Sequence, residues 1–216
     1  MFEFFYNFLG LNHKLFFIVN KATNIGILAE ILQFVSWFFS ISKFAVYYIL
    51  FCIYFYIKLK RIVDLNQRQS RFWALYNNMT LIGVTYTIFG LIYSILKFSI
   101  NLPRPFCSLR NEEFFTIINT NLERCLSSFP SAHTGLALLV LYFLWQYLNI
   151  IQKIIGLLII LLVAISRITL AMHYPSDIIY SFLTVTIVIV IGKTIYTIFA
   201  KNIIHKIGTI IYTKFI

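Results

Sequence analysis

Long apolar runs separated by short polar links set the pattern of this chain. Runs at 23–42, 44–57, 72–96, 133–151, 154–172 and 176–199 are dominated by Ile, Leu, Val, Phe and Tyr. A helix needs roughly 20 apolar residues to cross the hydrocarbon core of a bilayer, so the pattern predicts six transmembrane helices. The run 44–57 is short and must borrow its ends. The run 23–42 is interrupted by Glu30 and Gln33, which are therefore expected to face other helices rather than lipid. Residues 1–20 mix Phe2, Phe4, Phe5, Phe8 and Phe16 with Asn7, Asn12, His13 and Lys14, a blend that suits a helix lying in the interface. The tail 200–216 reads as a second interfacial segment. The expected fold class is all-α, a polytopic membrane protein with one domain over 1–216.

Composition agrees with the pattern. The chain is 60% hydrophobic, against about 45–50% in soluble domains, and its mean hydropathy is +0.85. The formal charge of +11 does not point to nucleic acid, because the basic residues are scattered between apolar runs. They bear on topology instead, since cytoplasmic loops carry an excess of Lys and Arg. With six spans and both termini cytoplasmic, one face takes 12 of the 18 basic residues; the other takes Lys97, Arg104, Arg110, Arg124, Arg167 and Lys43. No cleavable signal peptide is evident at the start. Cys52 sits in an apolar run and reads as packing. Cys107 and Cys125 share the polar loop 98–132 and could pair if that loop faces an oxidising compartment.

Candidate chemistry concentrates at the boundary between the last two runs. Arg167, His173 and Asp177 fall there together, and ionisable groups at a membrane boundary are costly. Pro175 stands where the last run begins, and proline suits the first turn of a helix. His173 then sits at a helix entrance, with Asp177 one turn in and its carboxylate within reach of the imidazole. A carboxylate on one ring nitrogen makes the other a better base or nucleophile. The plain alternative is a helix cap beside an interfacial histidine.

Two further clusters fall on the same predicted face: Lys97-x6-Arg104-Pro105 at the end of the third run, and Pro130-Ser131-Ala132-His133 at the entrance of the fourth. Read singly, Lys97 could be a snorkelling lysine, Arg104 a headgroup contact, Ser131 a cap and His133 an interfacial histidine. Taken in order, each at a helix boundary, the three clusters resemble the signature motifs of the type 2 phosphatidic acid phosphatase (PAP2) superfamily. The resemblance runs from Lys97 to Asp177. That family more often has glycine where Ala132 stands; alanine keeps a small residue beside the phosphate.

The resemblance implies a membrane lipid phosphatase working through a phosphohistidine. His173 attacks phosphorus, Asp177 holds its ring, and His133 protonates the leaving oxygen and then activates water. Lys97, Arg104 and Arg167, with Ser131 and the backbone N–H groups around Ala132 and His133, would bind the phosphoryl oxygens. No cofactor or metal is implied, and no acidic cluster that could hold magnesium is apparent. The implied partners are membrane lipids and a lipid phosphate substrate: phosphatidate, phosphatidylglycerophosphate, undecaprenyl diphosphate or the phosphates of lipid A. The implied location is a bacterial cytoplasmic (inner) membrane, with the site on its outer face. A lipid phosphotransferase, the related haloperoxidase chemistry and a non-enzymatic lipid-phosphate transporter are the competing readings. Tyr174 and Phe106 could line a lipid entrance or belong to an interfacial aromatic belt. Arg110, Arg124, Glu112, Glu113 and Glu123 read as solvated loop charges, and His13 and His205 as uninvolved.

Overall fold

The computed structural model describes residues 2–216; Met1 and the side chains of Phe2 and Glu3, part of the expected interfacial segment, lie outside that description. Helices account for nearly all of the regular structure. They are α1 Leu11–Thr23, α2 Gly26–Phe38, α3 Ile41–Lys60, α4 Leu65–Ile100, α5 Ala132–Leu144, α6 Ile150–Thr169, α7 Pro175–Phe199 and α8 His205–Phe215. Among the described residues there is no strand, only an isolated bridge between Pro103 and Leu126 in the long loop.

Among the described residues, four helical stretches are long and apolar enough to cross a membrane: α3, α4, α6, and α7 continued through α8. The bent pair made by the N-terminal helix and α2 would be a fifth. The prediction of six is therefore not met by length alone. The expected run 133–151 yields only the 13-residue α5, because the chain tightens into a 3-10 turn at Trp145–Tyr147. It then restarts as α6 behind a capping box in which Asn149 and Gln152 satisfy each other's backbone N–H groups. By contrast, α3 borrows its ends as expected and reaches 20 residues.

One compact unit comprises residues 1–41 and 92–186, and the other 42–91 and 187–216. In the first, α5 packs along α6 through Ala137, Leu141, Ile160 and Val163, with Val35 and Phe39 against them. Helix α2 buries Ala29, Leu32 and Ser36, one stripe at helical spacing. Glu30 and Gln33 lie off that stripe and are exposed, so the expectation that they face other helices is wrong. Helix α1 buries Asn12, Phe16 and Asn20. It meets α2 through a bend in which the two axes differ by 114°. Gly10 precedes α1 with a φ of +91°, a left-handed conformation that glycine adopts without strain.

In the second unit, α3 and α4 are joined by the Tyr48 hydroxyl donating to the Met79 carbonyl at 2.8 Å. The Tyr76 hydroxyl donates to the Ile204 carbonyl at 2.8 Å, in a π turn that links α7 to α8. The tail after residue 199 thus continues as helix. Gly208 lets it approach closely: a Cβ there would lie 2.7 Å from Trp73 and Tyr76. His205 stacks on Trp73, with ring centroids 4.4 Å apart.

Candidate active site

The reversal between α6 and α7 builds the centre. Ala171 takes a φ of +53° just past the end of α6, and the Met172 and His173 N–H groups both donate to the Arg167 carbonyl at 3.0 and 3.2 Å. One residue therefore supplies both a guanidinium and the backbone anchor of His173. Pro175 opens α7, as its position in the sequence predicted. The Asp177 carboxylate, fully buried, curls back over this first turn. Its Oδ2 accepts from the Tyr174 N–H at 2.8 Å and from the Ser128 hydroxyl at 2.5 Å. Its Oδ1 accepts from the Tyr6 hydroxyl at 2.7 Å.

His173 Nδ1 lies 3.4 Å from Asp177 Oδ2. That is longer than a formed N–H···O bond, and Nδ1 has no other hydrogen-bond partner. The pair is thus a contact that a small ring movement would convert into a bond. The bond would require the proton on Nδ1, leaving the lone pair on Nε2. His173 is 2% exposed. Burial, and then the charges of Arg167, Lys97, Arg104 and His133, push its pKa well below the ordinary imidazole value. These neighbours come from four separate parts of the chain.

The cations are held by neutral or weakly competing partners. Lys97 Nζ donates to the Ser127 carbonyl at 2.7 Å. Arg167 Nη1 donates to the Ser36 hydroxyl, and its buried Nε has no partner. Arg104 Nη1 pairs with Glu123 at 3.2 Å and touches Met172 Sδ at 2.9 Å; its Nε is likewise buried without a partner. Burial pulls the Arg104 pKa down, and Glu123 partly offsets this. The Ser131 N–H donates to the Asp177 carbonyl at 3.1 Å, and its hydroxyl is shared with Thr134 at 3.0 Å. The Ser181 hydroxyl bridges the Ser131 and Asp177 carbonyls, at 2.8 Å from each. This ties the entrance of α5, with Ala132 and His133, to the first turn of α7. Lys97, Arg104, Arg167 and His133 thus all lie near enough for their charges to act on His173.

The structure alters several sequence expectations. Glu123 is the partner of Arg104 rather than a free loop charge. Arg110 and Glu113 do pair at the surface, at 3.0 Å. Arg124 lies over the Phe98 ring at 5.8 Å, beside a groove of about 350 Å³ lined by these two with Asn101, Cys125, Leu126 and Ser127. Tyr174 and Phe106 are 4% and 7% exposed. Both belong to a core cluster with Phe16 and cannot line an open entrance. Cys107 and Cys125 form a disulfide, with Cα atoms 5.5 Å apart.

The N-terminal segment departs furthest from expectation. His13 lies against Tyr174 with centroids 5.1 Å apart, and Asn12 Oδ1 accepts from the Ser176 N–H at 2.9 Å. Asn20 Nδ2 donates to the Ile168 and Thr169 carbonyls at 3.1 and 3.0 Å. Residues 6–24 therefore pack directly against the end of α6 and the first turn of α7. Sequence reasoning missed Tyr6, Ser36 and Ser128 altogether, since no local pattern marks them.

A stability prediction follows from His173. Its folded pKa is depressed, so near pH 6 the unfolded state binds more protons and stability rises with pH. The contribution is present above the free imidazole value of about 6.5 and lost as pH falls below it. In detergent, the melting temperature should drop between pH 7.5 and pH 5. The drop should shrink in His173→Asn and in native protein with saturating inorganic phosphate, whose charge counters the cations. An equal drop in all three samples would contradict this.

The profile of the PAP2 superfamily matches residues 78–203. Among solved structures, the chain is similar to the crystal structure of Aquifex aeolicus LpxE. The identity is 21% and the TM-score 0.61, over 85% of this chain and 95% of that one. No curated protein matches the chain.

Proposed function

We propose, starting from a chain that belongs to the PAP2 superfamily, that it hydrolyses the phosphate ester of a membrane lipid through a phosphohistidine on His173. The observation that carries the reading is the buried His173 lying 3.4 Å from the buried Asp177 carboxylate, with the charges of Arg167, Lys97, Arg104 and His133 acting on it. A transferring phosphoryl group spreads negative charge over three equatorial oxygens, so fixed cations are its main source of stabilisation. Lys97, Arg104 and Arg167 take those oxygens, and the arginines can do so bidentately. The Ser131 hydroxyl and the N–H groups opening α5 at Ala132 and His133 add donors.

In the first step the Nε2–P bond forms and the P–O bond to the lipid breaks. His133 gives a proton to the departing oxygen, while the Nδ1 proton stays directed at Asp177. In the second, His133 takes a proton from water, the water oxygen bonds to phosphorus, and the P–N bond breaks to release inorganic phosphate. The residues in these steps require no metal.

A lipid fits better than a soluble ester, because the cations sit at the ends of spanning helices, where a headgroup arrives already at depth. The groove beside Ser127 is lined in part by exposed Phe98 and Leu126, apolar surface that suits a lipid chain. Phosphatidate, phosphatidylglycerophosphate, undecaprenyl diphosphate and lipid A phosphates remain the candidates. The Cys107–Cys125 bond favours an oxidising compartment for the loop, and hence an outward site on a cytoplasmic membrane. In this reading α5 and its 3-10 turn return the chain across the bilayer. Together they span about 26 Å, close to the roughly 30 Å of α6.

The test is phosphate release from those four lipids by purified protein in detergent with EDTA present. Release from at least one, undiminished by EDTA, is expected. No release from any of them, or strict dependence on added magnesium, would overturn the reading.

A further inference from the structure

We propose that Tyr6 is a positioning residue for the reaction at His173, its hydroxyl fixing the Asp177 carboxylate so that the other oxygen faces the imidazole. As a statement about catalysis this rests on the phosphatase reading above. The family match begins only at residue 78, so Tyr6 lies outside it. The contact spans 171 positions of sequence and is 2.7 Å long. Asp177 is fully buried, and its two oxygens divide the available donors. Oδ2 serves Ser128, the Tyr174 N–H and His173, whereas Oδ1 is served by Tyr6.

The segment is secured on both sides of Tyr6. The Tyr180 hydroxyl donates to the Phe5 carbonyl at 2.5 Å, and the Tyr6 ring packs against Phe129, next to Ser128. Beyond the left-handed turn at Gly10, Asn12 binds the Ser176 N–H, one residue from Asp177. Burial and the adjacent carboxylate raise the Tyr6 pKa far above that of a free phenol. It therefore stays a neutral donor across the working pH range.

Removing the donated bond leaves Oδ1 buried and unpartnered. The Ser128 hydroxyl and Tyr174 N–H still hold the carboxylate's charge, now less screened, against His173. The groups facing this pair are Lys97 from α4, Arg104 and Glu123 from the loop, His133 from α5, Arg167 from α6, and Tyr174. The Phe variant alters none of them.

The experiment follows His173 by NMR in full-length protein with labelled histidine in detergent micelles, alongside phosphate release from phosphatidate. In Tyr6→Phe the titration midpoint of His173 should rise by about one pH unit, the size expected for one bond to a charged group. The acid limb of kcat/KM should move the same way, with kcat down about 10-fold and KM within about twofold. Placing 3-fluorotyrosine at position 6 keeps the packing and strengthens the donor, so the midpoint should move down. This second variant decides the matter even if the Phe variant folds poorly. An unmoved midpoint in the fluorinated protein, or a lowered melting temperature with an unchanged pH profile, would overturn the role. Absence of phosphate release by the native protein would instead count against the phosphatase reading, and the NMR arm would still judge Tyr6.

Discussion

Replacing His173 by Asn is expected to lower phosphate release by about 10⁴-fold or more, as loss of a nucleophile does when no other group can replace it. Asparagine is small enough for the buried pocket and retains an N–H for Asp177, so the fold should survive. The cations remain, so inorganic phosphate should still protect the variant against thermal unfolding. A malachite-green assay and a thermal melt with and without phosphate read both outcomes. A transporter using the same cations would keep moving lipid in this variant. Activity above about a tenth of native would remove His173 from the chemistry.

The second large effect belongs to Arg167. The residue is 5% exposed, and among the described residues its Nε has no partner and its Nη1 meets only the neutral hydroxyl of Ser36. A buried cation without an anion costs several kcal/mol, and a well-packed apolar replacement can stabilise a fold by about 1–4 kcal/mol. Arg167→Met should therefore raise the melting temperature while lowering kcat/KM by about 10²–10³-fold, the usual loss for one donor to a transition-state oxyanion. It should also abolish stabilisation by added phosphate. Arg167→Lys should retain some phosphate stabilisation but lose most of the rate, because an ammonium cannot grip two oxygens in a plane. A destabilised Arg167→Met that still responds to phosphate would show that the guanidinium serves the fold instead.

Much of this architecture was readable because the strongest signals are local. Helices α3, α6 and α7 announce themselves by apolar length, and Pro175 marks the start of α7. The longer reach of α4 was hidden because Asn66, Gln67, Arg68 and Arg71 are polar, although they extend the helix from Leu65. The early end of α5 is marked in the sequence by the Asn149-x-x-Gln152 capping box. Glu30 and Gln33 fall off the stripe Ala29, Leu32, Ser36, whose helical spacing excludes both in spite of their polarity.

The centre divides in the same way. His173, Asp177, His133, Ser131, Ala132, Lys97, Arg104 and Arg167 are legible as candidates because they fall in short patterns at helix boundaries. Tyr6, Ser36 and Ser128 are not, because each is a single polar residue. Each becomes meaningful only when folding brings it to a partner: Asp177 for Tyr6 and Ser128, Arg167 for Ser36. Asn12 and Asn20 looked like interfacial polarity for the same reason. They are buried straps that bring the N-terminal helix to the first turn of α7 and the end of α6.

The account turns on a single anion position shared by residues from α4, the long loop, α5, α6 and α7. A structure of the protein with orthovanadate, which mimics the transferring phosphoryl group, addresses it most directly. Vanadium should be bonded to His173 Nε2, its equatorial oxygens held by Lys97, Arg104 and Arg167, and its apical oxygen within reach of His133. Vanadate bound away from His173, or at His173 with these cations turned elsewhere, would contradict the account.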